Sequence, residues 1–166
     1  MLFRSIAGLV HIDSGEINVF GRIIGRDISF PDNMGLIIEN VGFWPQFTSI
    51  ECLETLRRVN KVIPKSGMYD ALNRVGLDPY DNRKYSAFSL GMRQKLAIAQ
   101  AIMEKPSLLI LDEPGNGLDD TSIDRLSAIL QEEKDRGALI LLASHDNDLL
   151  TNLSNNVIRI SAGRIV

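Results

Sequence analysis

The sequence has little cysteine, few aromatic residues and no long apolar run. Its one cysteine, Cys52, cannot form an intrachain disulfide and indicates a reducing compartment, where we expect it to be a small core residue rather than a reactive thiol. No apolar stretch reaches the roughly 18 residues that span a bilayer. Residues 1–9 are not organised like a signal peptide. If the protein serves a membrane, it therefore does so from the cytoplasmic side, through a partner.

An excess of positive charge is also absent. The 18 Lys and Arg residues are outnumbered by 21 Asp and Glu residues, which gives a net charge of -3. We therefore expect no nucleic-acid partner, because nothing in this balance attracts a polyanion. The chain has 166 residues, of which 45% are hydrophobic and 23% charged, so it has the size and composition of one globular domain or most of one.

The patterns that are present alternate between buried strands and helices. Continuous apolar runs at 107–111 and 138–143 predict buried strands, and the amphipathic segment 122–136 between them predicts a helix. Such strands separated by a helix indicate a parallel α/β sheet. Helical periodicity also fills the middle of the chain, in segments near 49–60, 66–76 and 91–104, with breaks at Gly76 and 79–84.

Shorter helical and β-type patterns occur in the first forty residues and at the end of the chain. Residues 1–9 predict the end of a helix with one apolar face, formed by Leu2, Phe3, Ile6 and Leu9. Further on, β-type runs are predicted at 16–20 and 22–24 around Gly21, at 35–39, and as a closing hairpin at 157–160 and 163–166.

Two carboxylates follow the first of the buried strands. The apolar run 108–111 ends in Asp112, Glu113 and Pro114. Ligands of open α/β sheets bind at the carboxyl ends of the strands, where an Asp can hold Mg²⁺ and a second carboxylate can deprotonate an attacking water. The alternative is an ordinary solvated loop after a strand.

A histidine follows the second buried strand, within Ser144-His145-Asp146. If the two strands are parallel neighbours, His145 lies at the same sheet edge as Asp112 and Glu113, from which an imidazole can reach a phosphate. The alternative is a strand-end histidine bonded to a backbone carbonyl.

A third segment has the features of a helix start. Ser89 is a good N-cap, and Gly91 allows another group to approach the backbone closely. Such a start presents free N–H groups and the positive end of the helix dipole to an anion. Taken alone, the segment is better interpreted as an ordinary capped helix with a basic first turn.

Taken together, these motifs resemble those of the ATP-binding-cassette family. In order along the chain, the matching segments are Ser89-Leu90-Gly91-Met92-Arg93-Gln94 (the signature motif), Leu111-Asp112-Glu113-Pro114 (Walker B), Gly117-Leu118-Asp119 (the D-loop) and Ser144-His145-Asp146 (the switch histidine). The resemblance implies a P-loop NTPase-like three-layer sandwich with a mostly parallel sheet, a small antiparallel β part and a helical signature subdomain. We expect one nucleotide-binding domain over 1–166, with the helical subdomain at about 49–104.

The resemblance also implies a role for each matching residue. Asp112 would hold Mg²⁺, Glu113 would polarise the attacking water, and His145 would contact the γ-phosphate of ATP. Ser89 and Gly91 would bind the γ-phosphate of a nucleotide held by the opposite subunit of a dimer, homomeric or heteromeric. Asp119 would couple the two sites, and residues 42–48 would face a transmembrane permease.

One part of the family pattern has no counterpart, namely the phosphate-binding loop GxxxxGK[ST]. Residues 2–9 resemble the helix that follows this loop, so we expect a domain incomplete at its N-terminus, without the first strand and the loop. The loop supplies a Lys, a hydroxyl and several N–H donors. Losing three charge-assisted hydrogen bonds of roughly 1.5–3 kcal/mol each would make ATP binding by this chain alone negligible.

A second departure is Glu39, which stands where the family usually has a Gln that touches Mg²⁺ and the attacking water. Glu39 would then bind the nucleotide's Mg²⁺; Gln46 is a rival candidate, and a plain polar strand end is the alternative. Together with Ser89-Leu90-Gly91-Met92, Glu39 resembles the bacitracin-type branch of antibiotic-peptide export and immunity.

The function expected from this resemblance is ATP hydrolysis coupled to export, on the inner face of the cell membrane, through the permease. The substrate would be an antibiotic or antimicrobial peptide. The alternative is a non-catalytic module or remnant that cannot bind ATP alone.

Overall fold

The structure is a computed structural model that describes residues 2–38, 42–60 and 63–166, without the side chains of Asn60 and Asn147. Helices and strands alternate along the chain. In order they are α1 Leu2–Ile6, β1 Asn18–Val19, β2 Arg22–Ile23, β3 Met34–Ile37, α2 Ser49–Asn60, α3 Lys65–Val75, a 3₁₀ turn Tyr85–Ala87, α4 Leu90–Ile102, β4 Leu108–Asp112, α5 Asp120–Asp135, β5 Leu139–Ala143, α6 Asn147–Leu153, β6 Ile160–Ser161 and β7 Arg164–Ile165.

A parallel sheet with the strand order β3-β4-β5 lies at the centre of the fold. In its register, Ile110 of β4 is paired with Leu36 of β3 and with Leu141 of β5. The first four residues of β4 are buried, as expected for a parallel strand covered on both faces. Because the strands are parallel, their carboxyl ends meet at one edge, as the sequence predicted.

The two faces of the sheet are covered by different elements. Successive side chains of a strand point to opposite faces, and Leu108 and Ile110 pack with Ala7 after α1 and Val19 of the β1-β2 hairpin. Leu109 and Leu111 belong instead to the larger cluster formed with the helices. The chain therefore has helix and hairpin on one side of the sheet and helices on the other, which confirms the predicted three-layer α/β fold with a small antiparallel part.

Helix α4 lies directly on the sheet because β3 contains a glycine. A Cβ atom at Gly35 would stand 2.1 Å from the carbonyl oxygen of Ala101 in α4. Any side chain at this position would push the helix away from β3. This contact fixes the position of α4, whose other end carries the signature segment.

The helix boundaries follow from local capping. At α2, the N–H of Thr48 donates to Oε2 of Glu51 at 2.7 Å while the N–H of Glu51 donates to Oγ1 of Thr48 at 3.4 Å, which is a reciprocal capping box. Helix α3 ends at Gly76, whose φ of +76° suits glycine. At α4, the N–H of Met92 donates to Oγ of Ser89 at 3.3 Å, which confirms Ser89 as an N-cap.

Helix α3 is joined to α5 by a buried carboxylate. Glu133 is 3% exposed and forms two salt bridges. Its Oε1 lies 2.9 Å from Nη1 of Arg74 in α3, and its Oε2 lies 2.7 Å from Nη2 of Arg136. The neighbouring Glu132 also pairs with Arg74, at 2.8 Å, but its side chain is 64% exposed. Salt bridges as well as apolar packing therefore connect the helical segment to the α/β part of the fold.

Three details differ from the sequence-based expectations. Leu2 and Leu9, predicted on the apolar helix face, are each 52% exposed, because α1 ends at Ile6 and the chain turns at Gly8. Strand β5 was expected to be buried, yet Leu139 is 48% exposed; β5 pairs with β4 and, among the described residues, with no second strand. Helix α6 was not predicted. Within the described residues, no helix combines the length and the apolarity needed to cross a bilayer.

Candidate functional site

The carboxyl ends of β4 and β5 bring the predicted acidic and histidine residues together. Asp112 is the last residue of β4 and is paired with Ala143, the last residue of β5. The ladder continues for one more hydrogen bond, in which the N–H of Glu113 donates to the carbonyl of Ala143 at 2.9 Å. The segment that contains His145 begins immediately after this point, so it faces Glu113 across the sheet edge.

Glu113 and His145 are in direct contact. Oε1 of the carboxyl group lies 3.2 Å from Nε2 of the imidazole, and the backbone N–H of His145 donates to Oε2 of the same carboxyl group at 3.4 Å. The imidazole therefore pairs with a carboxylate rather than with a backbone carbonyl. Its side chain is 97% exposed whereas that of Glu113 is 26% exposed. A half-buried carboxylate thus holds an imidazole that is open to a ligand from solvent.

The backbone of Glu113 is strained. Its φ is +51°, a conformation that costs a non-glycine residue of order 1–3 kcal/mol. The following residue is Pro114, which restricts the backbone before it further. Strain of this kind persists only where the surroundings enforce it, and here it is located on the carboxylate that faces His145.

The start of α4 packs closely against the loop that follows β4. A Cβ atom at Gly91 would stand 2.9 Å from the carbonyl oxygen of Gly117. Gly117 has a φ of +73° and leaves room for the side chain of Leu90. The exposed Ser89 and the start of α5 therefore lie on neighbouring loops, although the sequence separates them by thirty residues.

Asp119 acts as the N-cap of α5. Its Oδ1 accepts the N–H of Ser122 at 2.8 Å. Hydrogen bonds from the side chain and backbone of Ser122, with a contribution from the charge of Lys95, hold the pKa of Asp119 below its ordinary value. In this structure Asp119 has a clear structural role, and its coupling of two sites stays a prediction.

The oxygen atoms at the sheet edge suit a hard cation. Asp112 is half-buried and stands beside Glu113. Mg²⁺ is commonly held by one or two carboxylates together with substrate phosphates, rather than by a cage of protein ligands. Among the residues that the structure describes, no group of three or more His, Cys, Asp or Glu is placed to hold a metal ion. Glu39 lies outside the described residues, and its rival Gln46 is in an exposed turn.

The loop 42–48 joins the sheet to the signature region. The N–H of Tyr85 donates to the carbonyl of Phe47 at 2.8 Å, and the Tyr85 ring lies 5.5 Å from that of Phe43 in an edge-to-face arrangement. The loop also borders a cavity of about 540 Å³. Its apolar lining includes Leu9, Val10, Leu36, Ile38, Phe43 and Trp44.

Comparisons with known proteins agree with these features. The family model described as "ABC transporter" matches residues 1–116, including the signature segment and the Asp112-Glu113 pair. The chain belongs to the ABC transporter family. Among its ABC relatives is an ABC transporter ATP-binding protein of Bacillus subtilis, YybJ, which is 40% identical over 99% of this chain and 76% of its own length. Another B. subtilis ATP-binding protein, YdbJ, is 37% identical, and the chain spans 54% of its length.

Two further ABC relatives have named cargoes. The bacitracin transport ATP-binding protein BcrA of Enterococcus faecalis is 39% identical over 79% of this chain and 43% of its own length. The lantibiotic transport ATP-binding protein SrtF of Streptococcus pyogenes is 34% identical over 99% of this chain and 71% of its own length. The expected resemblance to the antibiotic-export branch is thereby confirmed.

The fold also matches that of solved ABC cassettes. A dimeric structure of the ABC transporter cassette MJ0796 superposes with a TM-score of 0.76 at 19% identity, over 89% of this chain and 70% of that one. A second dimeric structure of MJ0796, bound to ADP and Pi, gives 0.77 at the same identity and coverage. These matches confirm the P-loop NTPase-like fold.

Proposed function

We propose that this chain is the ATP-binding subunit of an ABC transporter and couples ATP binding and hydrolysis to export. The observation that supports this most strongly is the contact between Glu113 and His145, beside Asp112 at the carboxyl edge of a parallel sheet. This is the edge at which α/β sheets bind nucleotides. The three side chains supply a Mg²⁺ ligand, a proton acceptor and a phosphate contact.

Each residue has a distinct task in this proposal. Asp112 would hold Mg²⁺, with Glu39 as a second ligand, and a bound ion would neutralise charge on the phosphates of ATP. Glu113 orients the attacking water and accepts its proton, as general base. His145 is exposed enough to turn from Glu113 towards a γ-phosphate while its backbone N–H stays near the carboxylate.

We propose that the signature segment acts across a dimer of such domains, homomeric or heteromeric. Ser89 is exposed at the start of α4, where N–H groups and the helix dipole favour a phosphate. Ser89 and Gly91 would bind the γ-phosphate of a nucleotide held by the opposite subunit. Asp119 begins α5 beside this segment and would link the two sites. The dimeric state of the MJ0796 cassette supports the dimer in this proposal.

The membrane partner is proposed to be a permease that contacts residues 42–48. Trp44 is 39% exposed in this loop, and an apolar cavity lies beside it. The subunit would thus be peripheral on the inner face of the membrane. The names of the relatives BcrA and SrtF support an antibiotic or antimicrobial peptide as cargo.

We also propose that 1–166 forms a single nucleotide-binding domain in which 49–104 is the helical subdomain. One apolar cluster supports this, because it contains Leu53 and Leu72 of the helical segment together with Leu109 of the sheet. The salt bridge between Arg74 and Glu133 connects the same two parts.

An alternative is favoured by one observation, namely that the 166 residues contain no GxxxxGK[ST] motif. Without these N–H donors and the Lys, the chain would not bind ATP alone and would act as a module beside a complete partner. Calorimetric titration of the 166-residue chain with Mg-ATP tests this. We expect no saturable binding below millimolar concentrations, and micromolar binding would show that the motif is dispensable.

A further inference from the structure

We infer that Gln94 is a positioning residue, whose side-chain amide fixes the backbone of Glu113 and so directs the carboxylate towards His145. The inference rests on the proposed function insofar as Glu113 is the catalytic carboxylate. The contact itself was not foreseen from the sequence, in which Gln94 belongs to the signature segment and Glu113 to the strand end.

The contact is made by a single amide group. Nε2 of Gln94 lies 2.9 Å from the carbonyl oxygen of Pro114 and 3.4 Å from that of Glu113. Backbone carbonyls accept hydrogen bonds and cannot donate them, so the NH₂ group and not the amide oxygen must face them. Gln94 is half-buried, which shields both bonds from competing water.

Glu113 needs such support because its backbone is held in an unfavourable conformation. Its φ is +51° and it precedes Pro114, which has no N–H with which to anchor the turn. On the strand side, the N–H of Glu113 is bonded to Ala143. On the loop side, the carbonyl of Glu113 accepts the N–H of Asn116 at 3.2 Å and the amide of Gln94. Of the two donors on the loop side, Asn116 belongs to the same loop as Glu113, whereas Gln94 comes from helix α4.

The consequence is that the signature helix sets the direction of the Glu113 side chain. Gln94 lies five residues after Ser89, the N-cap of α4, and therefore about 7 Å further along the helix axis. A displacement of the end of α4 that carries Ser89 would also move Gln94. It would therefore alter the hydrogen bonds that Gln94 donates to the carbonyls of Glu113 and Pro114. A signature segment engaged by phosphate in a dimer would thus be coupled to the carboxylate of its own subunit.

The test compares side chains at position 94 that differ in hydrogen-bond donors. The probe is the nuclear Overhauser cross-peak between the Glu113 side-chain protons and the His145 ring, measured on the 166-residue chain without nucleotide. The chain has two histidines, so a His11→Gln variant assigns the His145 ring signal. Cross-peaks among the methyl groups of Leu109 and Leu111, in the buried part of β4, report whether each variant is folded.

We expect Gln94→Met and Gln94→Glu to lower the Glu113–His145 cross-peak several-fold, because both have nearly the shape of Gln and neither can donate to the carbonyls. Gln94→Lys, which keeps an N–H donor, should preserve most of it. Gln100→Met, at a half-buried position further along α4, should leave it unchanged.

Cross-peaks of wild-type intensity in the folded Met and Glu variants would overturn the inference. So would an equal loss in the Met, Glu and Lys variants, since an N–H donor retained at position 94 would then make no difference to the cross-peak. If one variant fails to fold, the others still decide the matter. Because the measurement uses no nucleotide, its failure is distinct from failure of the proposed ATPase function.

Discussion

Nε2 of His145 lies 3.2 Å from Oε1 of Glu113. The register of β4 and β5 creates this contact, because it places Asp112 opposite Ala143 and starts both following loops at the same level. The two functional groups of the proposed site are therefore positioned by the centre of the sheet. Substitutions far from the site that disturb the packing of α4 or α5 on this sheet should therefore lower the free energy of unfolding more than they change the distance between Glu113 and His145.

The buried carboxylate of Glu133 should contribute strongly to stability. It is 3% exposed and is bonded to Arg74 and Arg136. Glu133→Gln removes the negative charge that faces the guanidinium groups of Arg74 and Arg136. Because this breaks a buried ion pair, we expect it to lower the free energy of unfolding by about 3 kcal/mol. Urea unfolding followed by circular dichroism measures the change.

Glu132→Gln is the matched control for this prediction. Glu132 also pairs with Arg74, but its side chain is 64% exposed, and exposed pairs contribute less than about 1 kcal/mol. Equal effects of the two substitutions would contradict the role assigned to the buried carboxylate.

Asp119 should make stability depend on acid pH. Its pKa in the folded chain is lowered from 3.8 by hydrogen bonds from Ser122. Its contribution is therefore complete above the unfolded value and is lost as the pH falls through the folded value. Asp119→Asn keeps a capping oxygen without the charge. We expect the wild type to be the more stable protein at neutral pH and the difference to shrink on acidification.

Thermal unfolding of the wild type and the Asp119→Asn variant over a series of pH values measures this difference. A difference that stays constant from neutral pH to below the folded pKa would show that the Asp119 carboxylate has no linkage to folding.

Cys52 should be unreactive in the native chain. It is fully buried, and burial, followed by the nearby charge of Glu51, raises the pKa of its thiol to about 11. At pH 8 the thiolate is then about one part in a thousand of the side chain. We expect a chromogenic disulfide reagent to label Cys52 stoichiometrically in denaturant and negligibly in the native protein. Rapid labelling of the native chain would contradict the burial of this residue.

The sequence predicted the parts of the fold that depend on local pattern. Apolar runs followed by polar residues predicted β4 and β5. They also predicted that Glu113 and His145 lie at the same edge of the sheet. The N-cap role of Ser89 and the break at Gly76 followed from residue type alone. These features were predictable because each is determined by a few neighbouring residues.

Other features depend on contacts that spacing does not reveal. The hydrogen bond from Gln94 to the carbonyl of Pro114 joins residues 20 positions apart, and no pattern in either segment predicts this contact. Helix α6 has seven residues, too few for apolar periodicity to be recognised. The exposure of Leu139 depends on which strands flank β5, and an apolar run cannot specify that.

The proposed function depends on Glu113 acting as the general base of an ABC-type ATPase. The most direct measurement is ATP turnover by a chimera in which a GxxxxGK[ST] segment from a relative precedes Leu2, with and without Glu113→Gln. We predict that the substitution abolishes phosphate release while Mg-ATP still binds and holds the domains as a dimer. Undiminished turnover in the Glu113→Gln chimera would contradict the claim.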